Sequence, residues 1–140
     1  ELVEFKGHVA GLKVAKFSPD GEKILTASGD NTVRLWDLSG KELKLFNAHR
    51  GNVWDICFST DGNKILSSSW DSTSILWDLK GTILKKFPAT TAKAFNCSIS
   101  KDGNNILVSR YGDNNLQLWD LVKEETEIII TNKKGEPVLN

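Results

Sequence analysis

The chain has 140 residues with 18 Lys+Arg against 18 Asp+Glu, and only two histidines, two cysteines and no methionine. A chain of this length can bury roughly two thirds of its unfolded surface, while zero net charge excludes a global field that would draw in nucleic acid or an anionic membrane. Two cysteines are too few for a disulfide framework, no stretch approaches the ~20 apolar residues of a membrane helix, and the first residues lack the basic start of a signal peptide. The expectation is a cytoplasmic, reducing setting with no membrane partner, in which Cys57 and Cys97, both inside apolar β-like runs, are reduced core residues. Starting at Glu1 without methionine, the sequence is expected to be an excerpt or processed product of something longer.

In chain order, residues 1–5 (ELVEF) match the later ELKLF and ILKKF and are expected to form an outer strand. Then come LKVAKFS, the turn PDG, KILTAS, the turn GDN, TVRLWD, a polar turn and ELKLF. Asp-Gly and Asp-Asn tolerate the backbone torsions of tight hairpins, so this unit predicts four short antiparallel strands. The stretch Phe17 to Phe46 recurs from Phe58 to Phe87, and the pairs Asp20-Gly21, Asp61-Gly62 and Asp102-Gly103 are 41 residues apart. Trp-Asp-Leu closes each unit at Trp36, Trp77 and Trp119. Three units are therefore predicted, at about 6–46, 47–87 and 88–131, followed by a polar tail at 132–140. With no convincing helical period, the class is all-β.

The Gly7-His8 pair and Trp36-Asp37, with His8 and Trp36 28 positions apart, resemble the WD-repeat family, and His49 and Trp77 repeat that spacing. The resemblance implies β-propeller blades of four antiparallel strands, three per chain. Propellers close with about four to eight blades, so three are a partial propeller or half of an oligomeric ring. Both continuation within a longer chain and self-association, two chains giving six blades, are open.

The resemblance also implies a buried set of hydrogen-bonded residues in each blade: His8, Thr26, Asp30 and Trp36, then His49, Ser67, Asp71 and Trp77. Such a set satisfies all its polar groups, because aspartate orients the imidazole, which bonds the hydroxyl, which bonds the indole. Both histidines are thereby occupied, so no catalytic residue, metal ligand or cofactor is expected. The third unit departs from the pattern. Thr90 stands where histidine is expected and one residue is inserted before Trp119, leaving Asp113 and Trp119 with a hydroxyl position open between Ser109 and Val108. This blade is expected to be the least rigid.

In WD propellers the usual partner surface is the rim of the channel's narrow end. Carried over by position, the resemblance implies Gly11, Lys13 and Gly29, then Asn52, Trp54 and Trp70, then Lys93, Phe95 and Gly112, with Arg110 and Tyr111 alongside. A tryptophan inside the turn SSSWDST gains nothing from a core, so Trp70 reads as exposed, against the alternative of packing on its own or a neighbouring blade. Trp54 is open between the partner surface and the channel lining. The function expected is a non-catalytic platform for a protein or peptide partner, the alternative being a small-ligand or glycan-binding ring that stacks ligands on these aromatics. Neutral charge argues against single-stranded nucleic acid. An enzyme would need groups outside the structural sets, of which Asp55 is the nearest candidate.

Overall fold

The computed structural model describes residues 2–88, 92–112, 115–131 and 137–138. Three antiparallel sheets follow one another along the chain. The first holds β1 (Leu12–Phe17), β2 (Lys23–Ser28), β3 (Val33–Asp37) and β4 (Glu42–Phe46) in sequence order. The second holds β5 (Val53–Phe58), β6 (Lys64–Ser69), β7 (Thr73–Asp78) and β8 (Ile83–Pro88). The third holds β9 (Lys93–Ile99), β10 (Asn105–Tyr111), β11 (Asn115–Asp120) and β12 (Glu125–Thr131), to which the two-residue β13 (Pro137–Val138) adds a fifth edge. Among the described residues there is no helix, and the all-β reading with four-stranded blades holds.

The turns follow from local chemistry. In the first Asp-Gly turn Gly21 has φ 74°, and its N–H donates to Ser18 O at 2.8 Å while the Asp20 carboxylate receives the Ser18 hydroxyl and the Glu22 amide. The same arrangement returns at Ser59, Asp61 and Gly62, which is why strand boundaries recur at a fixed interval.

Two apolar clusters lie between successive sheets. One joins Leu25, Ala27 and Leu35 to Val53, Ile56 and Trp77; the other joins Leu66, Leu76 and Phe87 to Ala94, Cys97 and Ile106. A phenylalanine near the end of an outer strand sets the next blade's tryptophan: Phe46 meets Trp77 edge-on at 5.5 Å, and Phe87 meets Trp119 at 5.1 Å. Phe5 meets Trp36 in the same way at 5.7 Å. Residues 2–5, expected to form an outer strand, carry none within this chain. Each sheet already has its own outer strand, β4, β8 or β12, and the third carries β13 beyond it.

Asp55, 7% exposed on β5, links all three blades. It accepts from Lys16 Nζ at 3.0 Å in the first blade and from the Cys97 amide at 3.0 Å in the third. The carboxylate is thus engaged on both sides of its blade. Ser68 Oγ donates to Phe95 O at 3.0 Å across the same seam.

The two outer flanks lack what the inner seams have. Leu12 is 59% exposed and Phe17 67%, whereas Val53, 41 positions after Leu12, is fully buried. At the other end Leu107, equivalent to the buried Leu25 and Leu66, lines a depression of about 100 Å³ together with Ser98, Ser109 and Leu116.

Candidate rim site and structural hydrogen-bond sets

In the first blade His8 Nδ1 lies 2.8 Å from Asp30 Oδ2, His8 Nε2 2.8 Å from Thr26 Oγ1, and Trp36 Nε1 donates to Thr26 Oγ1 at 2.8 Å. In the second, His49 Nδ1 lies 2.9 Å from Asp71 Oδ2, Nε2 2.8 Å from Ser67 Oγ, and Trp77 Nε1 donates to Ser67 Oγ at 2.9 Å. The indole donates into the hydroxyl oxygen and the hydroxyl proton goes to Nε2, so the network assigns the ring proton to Nδ1, which donates to the aspartate. No group is left for a substrate, and a Ser-His-Asp composition here is a buried strut.

Burial pushes the Asp30 carboxyl up, but hydrogen bonds from Thr32, His8 and the Val9 amide outweigh it and hold the group well below its ordinary 3.8. Asp71 is held down in the same way, burial being overcome by His49, Thr73 and the Arg50 amide. A depressed carboxyl contributes stability that is complete above the unfolded value and lost as pH falls toward the folded one. Thermal melting is therefore expected to hold between about pH 7 and 5 and to drop below about pH 4. A melting temperature unchanged from about pH 5 to 3 would show that the two aspartates do not anchor the fold.

The third blade is built differently. Val108 occupies the position of Thr26 and Ser67, pairing with Cys97 and Gln117, while Ser109 points away and accepts from the Asn96 amide at 3.2 Å. This resolves the open hydroxyl position against both candidates, and among the described residues the buried Trp119 Nε1 has no hydrogen-bond partner. Thr90 and Asp113 lie outside the described residues.

Arg110 corrects a second expectation. Read from the sequence as a rim residue, it is only 7% exposed. Its guanidinium donates to Gln117 Oε1, to Ala92 O at 3.2 Å and to Ser72 O of the second blade at 3.1 Å. Ser28 and Ser69, which precede it by multiples of 41, make the corresponding bonds to Ala10 O and Gly51 O. Arg110 thus replaces a serine tether and adds a clamp to the preceding blade. That 41-residue equivalence was the signal in the sequence that would have placed it inside.

The remaining rim residues gather at one end. In each inner strand the ladder slips where the rim residue stands: pairing jumps from Leu12 to Val14, from Val53 to Asp55, and from Ala94 to Cys97. Lys13, Trp54 and Phe95 lie in these bulges, and a bulge re-aims a side chain out of the pleat. Trp54 stacks on Trp70 with centroids 4.7 Å apart and 28° between planes, and Phe95 lies 5.5 Å from Trp54. Tyr111, 62% exposed, lies 5.9 Å from Phe95 and 6.5 Å from Trp70. Lys13 Nζ sits 4.6 Å over Trp54 and Lys93 Nζ 4.0 Å over Trp70. Trp70 is half-buried rather than fully exposed, because its turn leans over the neighbouring bulge, and its amide donates to Asn52 O at 2.9 Å. Gly29 borders this seam, where a Cβ would lie 2.7 Å from Asn52 Oδ1 and 3.6 Å from Lys13 Cε. Gly11 and Gly112 are exposed and present backbone only.

The cysteines are free thiols. A hydrogen bond with Cys97 lowers the Cys57 thiol below its ordinary value, burial opposing and Lys16 adding, whereas burial pushes Cys97 up. Among the described residues no cluster of three His, Cys, Asp or Glu side chains could hold a metal ion.

Comparison with known proteins gives local likeness over parts of the chain. The chain is 36% identical over 62 residues to nuclear distribution protein PAC1 of Candida tropicalis, covering 39% of this chain and 13% of that protein. It is 40% identical over 50 residues to anaphase-promoting complex subunit cdc20 of Dictyostelium discoideum, covering 36% and 10%. To the serine-threonine kinase receptor-associated protein of Gallus gallus it is 41% identical over 49 residues, covering 34% and 14%. The chain thus spans only a small part of the relatives it matches. The family described as WD domain, G-beta repeat matches residues 1–37 and 40–78, together more than half of the sequence. With matching repeats, three antiparallel blades and His-Thr/Ser-Trp struts in two of them, the chain belongs to the WD-repeat family.

Proposed function

We propose that the chain is a non-catalytic interaction platform that binds a protein or peptide partner on the rim formed by Lys13, Asn52, Trp54, Trp70, Lys93, Phe95 and Tyr111. The observation that carries this reading is a continuous aromatic and cationic surface assembled from all three blades, with four rings in mutual contact. Aromatic anchors surrounded by long polar side chains dominate binding energy at protein interfaces. Two relatives are named as a complex subunit and as a receptor-associated protein, which supports the reading by analogy. A glycan stacked on Trp54 and Trp70 needs open indole faces, yet each ring stacks on the other and has an ammonium over it.

The test is to select peptides against the chain from a display library and measure each with the Trp54→Ala, Trp70→Ala double variant. Loss of two hot-spot rings is expected to weaken binding at least about thirtyfold. Selected peptides that bind the double variant as tightly as the native chain would move the partner surface elsewhere.

We further propose that the uncovered flanks at Leu12 and Phe17 and at Leu107 and Leu116 are closed by other blades, either of a second copy or of a longer polypeptide. Inside the chain the equivalent faces are sealed by a neighbouring blade. Light scattering across a dilution series tests the first option. A discrete mass of twice the chain supports a six-bladed pair, and a monomer at every concentration removes it.

A further inference from the structure

Among the described residues, two ammonium groups and two indole N–H groups meet at the rim. Trp54 Nε1 and Trp70 Nε1 are buried and, among the described residues, have no hydrogen-bond partner. Lys13 and Lys93 are exposed, and among the described residues neither has a carboxylate within ion-pair distance, although Lys6, Lys16 and Arg34 are each paired. Each ammonium is held over an indole instead. The nearest acid on the bulged strands, Asp55, is spent on Lys16 and the Cys97 amide.

From this arrangement we infer that the rim recognises an acidic peptide segment, its carboxylates taken by Lys13 and Lys93 and an adjoining apolar side chain lying against Phe95 and Tyr111. The inference rests on the rim reading above and names its partner class. Three physical arguments converge on an anion. A cationic guest, which aromatic clusters otherwise attract, meets two ammonium groups already seated over the rings. A neutral stacking guest meets rings that already cover each other. A carboxylate gains charge-assisted hydrogen bonds from lysines that have no competing anion, and such bonds are roughly twice as strong as neutral ones. Each lysine is also pre-positioned by its ring, so little side-chain freedom remains to be lost on binding. An approaching carboxylate is, in addition, the acceptor that the two indole N–H groups lack once the stack shifts to meet it.

The experiment uses three synthetic peptides of one design, a short Ser-rich segment with a central Leu flanked by Glu, by Gln or by Lys, with anisotropy of a labelled terminus as readout. The native chain is expected to bind the Glu peptide about tenfold more tightly than the Gln peptide, and the Lys peptide most weakly. The Glu preference should shrink as salt rises. The Lys13→Met, Lys93→Met double variant keeps the apolar stems over the rings and removes the charge. It is expected to bind Glu and Gln peptides alike, at the native chain's Gln level. Equal binding of Glu and Gln peptides by the native chain, preference for Lys, or no binding of any of the three would overturn the inference. The rim reading fails separately. Peptides from the display selection that depend on Trp54 and Trp70 yet ignore the lysine variant would leave the platform standing and remove the acidic partner.

Discussion

Ser67→Ala is expected to lower the unfolding free energy by about 3 kcal/mol, because it leaves two buried groups unpaired at about 1–3 kcal/mol each. Among the described residues the Ser67 hydroxyl links His49 Nε2 to the Trp77 indole N–H, at 2.8 and 2.9 Å, and these three side chains are buried. Ser67→Thr should be nearly neutral, since Thr26 makes the same bonds in the first blade. The third blade supplies the converse. Val108 stands at the same position beside an orphaned Trp119 indole, so Val108→Thr is expected to cost nothing or to stabilise by up to about 1 kcal/mol. Urea unfolding of the three variants measures all of this. A loss below about 0.5 kcal/mol for Ser67→Ala would mean that water or a rearranged backbone satisfies the pair, and the strut would not be holding the blade.

Asp55→Ala is expected to cost about 2 kcal/mol, chiefly through the buried Cys97 amide it leaves without an acceptor. Lys16 adds little to that figure, because its ammonium is partly exposed and returns to water. The consequence is local as well as global. Asp55 ties the third blade to the second, so the buried Cys97 thiol should react with an aromatic disulfide reagent faster in the variant than in the native chain. Asp55→Asn should fall between the two, keeping an acceptor for the amide and losing the ion pair. Unchanged Cys97 reactivity in Asp55→Ala would show that packing between Leu66, Ala94 and Ile106 holds the seam by itself.

The four strands of each repeat, their order and the turn placement were legible in the sequence because they depend on neighbours close along the chain, whereas β13 falls inside the expected polar tail. An Asp-Gly pair sets its own turn through bonds to residues two and three positions away, as Ser18, Asp20 and Gly21 show, and the 41-residue interval repeats that local solution. The pairing of His8 with Thr26 and of His49 with Ser67 came from the family resemblance, and the distances then showed two closed networks. The rim was half legible. Trp54, Trp70, Phe95 and Lys93 are brought together, while Arg110 turns inward to clamp Gln117 and Ser72.

What the amino-acid order determined alone was therefore the repeat: its four-strand unit, its 41-residue interval and which residues turn. What only the tertiary structure decided was how one blade meets the next. Trp70 is drawn over Trp54 by an inner-strand bulge, Asp55 spans three blades, and Arg110 reaches across a seam. Periodicity encodes contacts within a hairpin, where partners are a few residues apart. A stack or clamp between blades joins side chains tens of residues apart, and its geometry exists only after both sheets have formed and twisted against each other.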